Sequence, residues 1–187
     1  GYGRFSAFGG RGGSRSGVIR TTNGGTTWTP LGSVMQGRNI AKVAARGNVL
    51  LAASDADDAF SCGPGGGIGL FRSIDSGATW NLVTNGLFGS RVAALAEDPT
   101  NNAGFYATII DFNGGCGTGN GVFGSTDTGA TWTDITAPII TNVIDSGGSH
   151  FERAVAPTGT VFLSVIASGE LAGVFRLPAG SSTWQDL

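Results

Sequence analysis

The sequence predicts an all-β repeat protein, and three observations carry that reading. An octapeptide, Ser73-Ile74-Asp75-Ser76-Gly77-Ala78-Thr79-Trp80, returns as Ser125-Thr126-Asp127-Thr128-Gly129-Ala130-Thr131-Trp132 and, altered, over residues 21–28. Trp28, Trp80, Trp132 and Trp184 stand 52 residues apart, as do Gly17, Gly69, Gly121 and Gly173, so the chain reads as an array of one unit. The 187 residues include 34 glycines and 13% charged residues, which suits many short strands joined by tight turns; no long helical periodicity is present.

Each unit has the form of a hairpin: a short apolar strand such as residues 69–73, a turn rich in Asp, Ser and Gly, and a second strand from Thr79-Trp80. Asp75 is placed to accept hydrogen bonds from amides a few residues on, Gly77 to take the positive φ that closes the loop, and Ser73 to add a hydroxyl contact. Trp80 opens the outgoing strand. Burying roughly 200 Å² of its ring stabilises by about 5 kcal/mol gross, an upper limit.

The pattern Ser-x-Asp-x-Gly-x-Thr-Trp resembles the Asp-box, or bacterial neuraminidase repeat. Ser73, Asp75, Gly77 and Trp80 match it, as do Ser125, Asp127, Gly129 and Trp132; the first copy has Thr21, Asn23, Gly25 and Trp28, and the fourth keeps Thr183-Trp184 alone. The resemblance implies a β-propeller of four-stranded antiparallel blades, with the repeat at the turn between third and fourth strands. Its family includes sialidases, xyloglucan-cleaving glycosidases, sortilin-type receptor ectodomains and photosystem II assembly factors. At 52 residues per blade, 187 residues make about 3.6 blades. That count fits a fragment of a larger propeller, a compact four-bladed ring, or a half-ring completed by another chain. An open array exposes apolar faces and strand edges, which favours self-association or a second chain.

In order, the chain divides as one partial propeller domain, 1–187, with blades near 1–32, 39–84, 91–136 and 150–187. The first blade lacks its innermost strand, and its outer hairpin falls at 17–22 and 26–31. Blade two takes an inner strand at 41–45 and a second at 48–54. Blade three runs from 91–96, through a turn at 97–102 where Pro99 fixes its own φ, to 104–110. A longer connection, 137–149, leads to strands at 151–156, 160–167, 174–176 and 183–187.

The loop after the second strand of blade two holds Asp55, Asp57 and Asp58. Three carboxylates in four residues suit a hard cation, but the spacing is not that of an EF-hand, and a solvated acidic loop is the favoured reading. Neither a metal nor a cofactor is expected. Cys62 and Cys116 lie 54 residues apart in corresponding loops. A disulfide between them would clamp the loops and indicate an oxidising compartment, and two free thiols are the alternative. His150 is the lone histidine and has no partner at ligand spacing. Phe175-Arg176-Leu177-Pro178 is similar to the arginine motif of sialidases, yet Arg176 holds the phase of Arg20 and Arg72 in ordinary repeats.

The resemblance implies that loops joining second to third strands, and blade to blade, lie on the face opposite the repeat turns and carry ligands. Asp55, Asp57, Asp58, Asp111 and Asp145 are therefore the ligand-face candidates, with no local feature that singles out an acid and a base. A net charge of −2 leaves no footprint for nucleic acid or an anionic membrane, and no apolar run approaches the roughly 20 residues of a membrane span. Gly1 is not an initiator methionine, which reads as a processed, trimmed or partial chain with any signal peptide out of view. Repeats without a complete catalytic constellation lead to the expectation of a non-catalytic, extracellular or periplasmic module that binds or scaffolds a protein or glycan. The alternatives are a fragment of a sialidase-like or xyloglucanase-like glycoside hydrolase and a propeller of the photosystem II assembly type.

Overall fold

A computed structural model of the chain describes residues 16–55, 68–89, 91–110, 119–144, 148–167 and 169–187. Three four-stranded antiparallel sheets follow a two-stranded hairpin, in the arrangement of propeller blades. The hairpin pairs β1 (Ile19–Arg20) with β2 (Thr29–Pro30). Blade two is β3 (Asn39–Arg46), β4 (Val49–Asp55), β5 (Gly69–Ser73) and β6 (Asn81–Leu82), hydrogen-bonded in that order. Blade three is β7 (Val92–Glu97), β8 (Phe105–Ile109), β9 (Gly121–Ser125) and β10 (Thr133–Asp134). Blade four is β11 (Gly148–Val155), β12 (Val161–Ala167), β13 (Glu170–Leu177) and β14 (Gln185–Asp186).

The outermost strand of each unit is shorter than its sequence suggests. In all four units only two residues pair, because the turn side chains take over the hydrogen bonding just before it. One element has no counterpart in the sequence reading: the connection after blade three contains a seven-residue helix, α1 (Pro138–Ile144). Pro138 stands at the first helical position, where its missing N–H costs nothing, and the Ala137 carbonyl accepts from both Ile140 and Thr141. So short a helix is held by tertiary packing, here through the fully buried Ile140.

The blades meet in three apolar seams. Val18 and Leu31 of the hairpin pack with Ile40, Ala52, Phe71 and Trp80 of blade two. Leu51, Leu70 and Val83 pack with Phe105, Ala107, Phe123 and Trp132 of blade three. Val122, Ile135 and Ile140 pack with Phe151, Leu163, Phe175 and Trp184 of blade four. Trp80, Trp132 and Trp184 are thus each buried by the blade before their own. Trp80, Trp132 and Trp184 are 5–6% exposed, whereas Trp28, expected to be equivalent, is 55% exposed because no described blade precedes it.

Candidate functional site

The repeat turns are built locally. In the second, Ser73 Oγ donates to Asp75 Oδ1 at 2.7 Å and accepts from the Gly77 amide at 2.8 Å. Asp75 accepts from the Thr79 amide at 2.9 Å and from Thr79 Oγ1 at 2.6 Å, and Trp80 Nε1 donates to the Gly77 carbonyl at 3.0 Å. Thr79 above all, then Ser73, holds the Asp75 carboxyl down at about 2. The third turn repeats the set through Ser125, Asp127, Gly129, Thr131 and Trp132. At Asp127 burial is the largest influence and pushes the pKa up, but the bonds from Thr131, Ser125 and Ala130 outweigh it, and the net shift is downward. In the first turn Asn23 Oδ1 accepts from the Thr27 amide at 2.9 Å, so a neutral amide does the same work. These carboxylates hold their loops closed through bonds within the turn.

Arginines fasten the second and third turns to the blades before them. Arg72 Nε donates to the Thr128 carbonyl at 2.8 Å and Nη2 to Thr128 Oγ1 at 2.6 Å. Arg20 Nη1 reaches the Ser76 carbonyl at 3.4 Å. Arg176 occupies the same phase, but its Nε donates to Gln185 Oε1 of its own blade at 3.0 Å. A second set, absent from the sequence reading, joins the inner strands. Arg46 Nε lies 2.9 Å from Glu97 Oε2, Nη1 donates to Asn102 Oδ1 at 2.9 Å, and Nη2 donates to the Asp98 carbonyl. Its signal is a spacing of 51, 52 and 56 residues between Arg46 and its partners, visible only once the repeat is known.

Arg153 was also missed. It lies on β11, all three guanidinium nitrogens are buried without a hydrogen-bond partner, and the group stands 5.9 Å from the Tyr106 ring centroid. Burial pulls its pKa down to about 9, and burial likewise pushes the Tyr106 phenol up, with Asp98 adding to that shift.

The other end of the blades is the loop face. Asp55 closes β4 opposite Asn39, β8 ends at Ile109 opposite Val92 and Gly121, and β11 opens at Gly148 opposite Ala167. These strand ends lead into the loops that carry the acidic candidates. A register shift interrupts the inner strand of each described four-stranded blade there, between Ile40 and Lys42, Val92 and Ala94, and Gly148 and His150. Bulges of this kind re-aim chain at the rims of sheets. Asp57, Asp58, Asp111 and Asp145, with Cys62 and Cys116, lie outside the described residues; Asp55 ends β4, and His150 belongs to β11.

Three other described acids belong to the frame. Glu97 pairs with Arg46, Asp98 accepts from the Thr100 amide at 2.8 Å, and Asp134 from the Thr136 amide at 2.8 Å. An outer groove lined by Arg72, Ile74, Asn81, Leu82, Thr84 and Asn85 contains no carboxylate, so it cannot seat acid–base hydrolysis. Among the described residues no cluster of His, Cys, Asp or Glu is arranged to hold a metal. No described helix is long and apolar enough to cross a membrane.

The chain resembles xyloglucanases. It is 26% identical to a xyloglucanase of a Paenibacillus species over 198 aligned positions, covering 88% of this chain and 19% of that protein. Among solved structures it matches an ancestral GH74 enzyme with a TM-score of 0.64 at 22% identity, over 94% of this chain and 23% of that one. It also matches the GH74 xyloglucanase of Xanthomonas campestris with a TM-score of 0.51 at 16% identity, over 91% and 26%. The structural likenesses establish the propeller fold, and the chain spans only 19% to 26% of the length of these proteins. No protein-family model matches it.

The expectation of a non-catalytic binding module is thereby overturned, because the proteins it resembles are glycoside hydrolases. The physical reason lies in how a propeller assembles a site. An acid and a base carried on loops of separate blades leave no contiguous signature, so the lack of a local catalytic motif has no weight.

Proposed function

We propose that this chain is a propeller segment of a glycoside hydrolase acting on xyloglucan or a closely related glucan. The observation that carries the reading is 26% identity to a xyloglucanase over 88% of the chain. Hydrolysis of a glycosidic bond needs two carboxyl groups roughly 5 to 10 Å apart, depending on stereochemical course. Asp55, Asp57, Asp58, Asp111 and Asp145 are the proposed pool, since they follow or precede strand ends at the loop face, while Asp75 and Asp127 are engaged by their own turns. A polysaccharide substrate is too large to enter a cell, which supports an extracellular location.

The test is binding and turnover of xyloglucan oligosaccharides by this chain and by single Asp→Asn variants at those five positions. Saccharide affinity or turnover lost in particular loop variants, and kept in Asp75→Asn, supports the reading. No affinity for xyloglucan, or affinity unchanged in all five variants, ends it. Cleavage of aryl sialosides in place of xyloglucan would move the assignment to a sialidase.

A further inference from the structure

The seams on either side of blade three are built on one register, and their polar parts differ. Between blades two and three, Arg46 reaches Glu97, Asn102 and the Asp98 carbonyl, and Arg72 reaches Thr128. Between blades three and four, Gly124 holds the place of Arg72, and Asp98 and Val155 hold the places of Arg46 and Glu97, so neither tie has a counterpart. A bond that does cross this second seam runs from Trp184 Nε1 to the Ile135 carbonyl at 2.8 Å.

The second seam also takes polar groups into its interior. Leu51 and Leu95 share the apolar cluster between blades two and three. One repeat on, Tyr106 and Arg153 stand in their places, the guanidinium 5.9 Å from the ring centroid. Thr108 likewise stands in the place of Ala53, and it faces blade four because Tyr106 and Ile110, two residues to either side, pack in that seam. Arg153 Nε, Nη1 and Nη2 and Thr108 Oγ1 are out of reach of solvent and have no hydrogen-bond partner. Apart from Arg46 Nε, which pairs with Glu97, they are the buried side-chain atoms in that condition among the described residues. Groups that lose their hydration without replacement destabilise the closed seam, a penalty that the leucines and alanine of the preceding seam do not carry.

We propose that the seam between blades three and four is a joint, which opens reversibly in the folded chain and lets water reach Arg153 and Thr108. Opening rehydrates a cation and a hydroxyl, and exposure of the apolar cluster around Phe151, Leu163 and Trp184 draws the blades together again. The preceding seam, with Arg46 and Arg72 engaged, stays shut. Because β8 and β11 lead from the two blades to the loop face, the loops they feed separate as the joint opens. The joint is internal to the described blades and independent of the catalytic reading.

Hydrogen exchange of the tryptophan indole N–H groups, followed by NMR on the whole chain, tests it. Trp184 reports on the joint and Trp132, 6% exposed and buried by blade two, on the preceding seam. The expected result is exchange about tenfold faster at Trp184 than at Trp132. Arg153→Leu, which installs the residue of the Leu95 position, is expected to slow Trp184 and leave Trp132 unchanged. Thr108→Ala does the same in smaller measure, and serves if circular dichroism shows Arg153→Leu to be unfolded. Equal rates at the two indoles overturn the proposal. So does a fast Trp184 that the folded variants fail to slow, since the end of the chain then frays by itself, and so does equal slowing at both indoles, since the substitution then acts on the whole fold.

Discussion

Arg72 and Thr128, 56 residues apart in the chain, are joined by two hydrogen bonds from one guanidinium, at 2.8 and 2.6 Å. The pair shows how a repeat protein converts sequence period into tertiary order. The donor sits on the third strand of one blade, and the acceptor is the left-handed residue, φ 61, of the next turn. In blade three the donor's position is Gly124, so that seam forms without it.

Arg72→Leu removes two partly buried bonds to a charged donor, and we expect a loss of about 1–2 kcal/mol in urea unfolding. Arg20→Leu, where the bond is exposed and 3.4 Å long, is expected to change stability by less than about 0.5 kcal/mol. Equal effects at the two sites would contradict the geometric ranking.

Gly129 and Gly25 separate backbone strain from packing. Both hold positive φ, 78 and 93, so alanine at either pays about 1–2 kcal/mol for the left-handed conformation. At Gly129 the added methyl also overlaps Leu51 at 2.8 Å, which adds about 1–3 kcal/mol. The difference between the two melting points measures the seam, and similar losses would mean that Leu51 moves aside freely.

Acid sensitivity follows from Asp75. Its carboxyl titrates at about 2 in the folded chain against 3.8 normally, so the unfolded state binds more protons between those values. The stability it contributes is present above pH 3.8 and is lost as pH falls through about 2. Asp127, shifted the same way, adds to the effect. Asp75→Asn with Asp127→Asn, which imitates Asn23, should flatten stability across that window while keeping the fold at neutral pH. An acid transition of unchanged steepness would place its origin elsewhere.

Arg153→Met tests the buried guanidinium. Three unpartnered nitrogens have lost their water and gained only the face of Tyr106, so an apolar side chain of similar length should raise stability by about 1–2 kcal/mol at neutral pH. A comparable loss would show that the charge is compensated in solution.

Much of the frame is legible from spacing because its bonds are short in sequence. Ser73 to Gly77, Asp75 to Thr79 and Trp80 to Gly77 span four residues or fewer. The loop-face acids are legible as a set, yet which of them meet is not, since they belong to different blades. The site as a whole therefore stays below the horizon of local pattern.

The sequence by itself determined the repeat length, the turn chemistry and the strand order, since these depend on neighbours along the chain. Tertiary structure alone decided that Trp80 is covered and Trp28 is open, that Arg72 finds Thr128 while Arg176 turns back, that α1 forms over Ile140, and that Arg153 is buried unpaired. Each of those outcomes depends on which part of the chain lies alongside, and equivalent positions of the repeat meet different surroundings from one unit to the next.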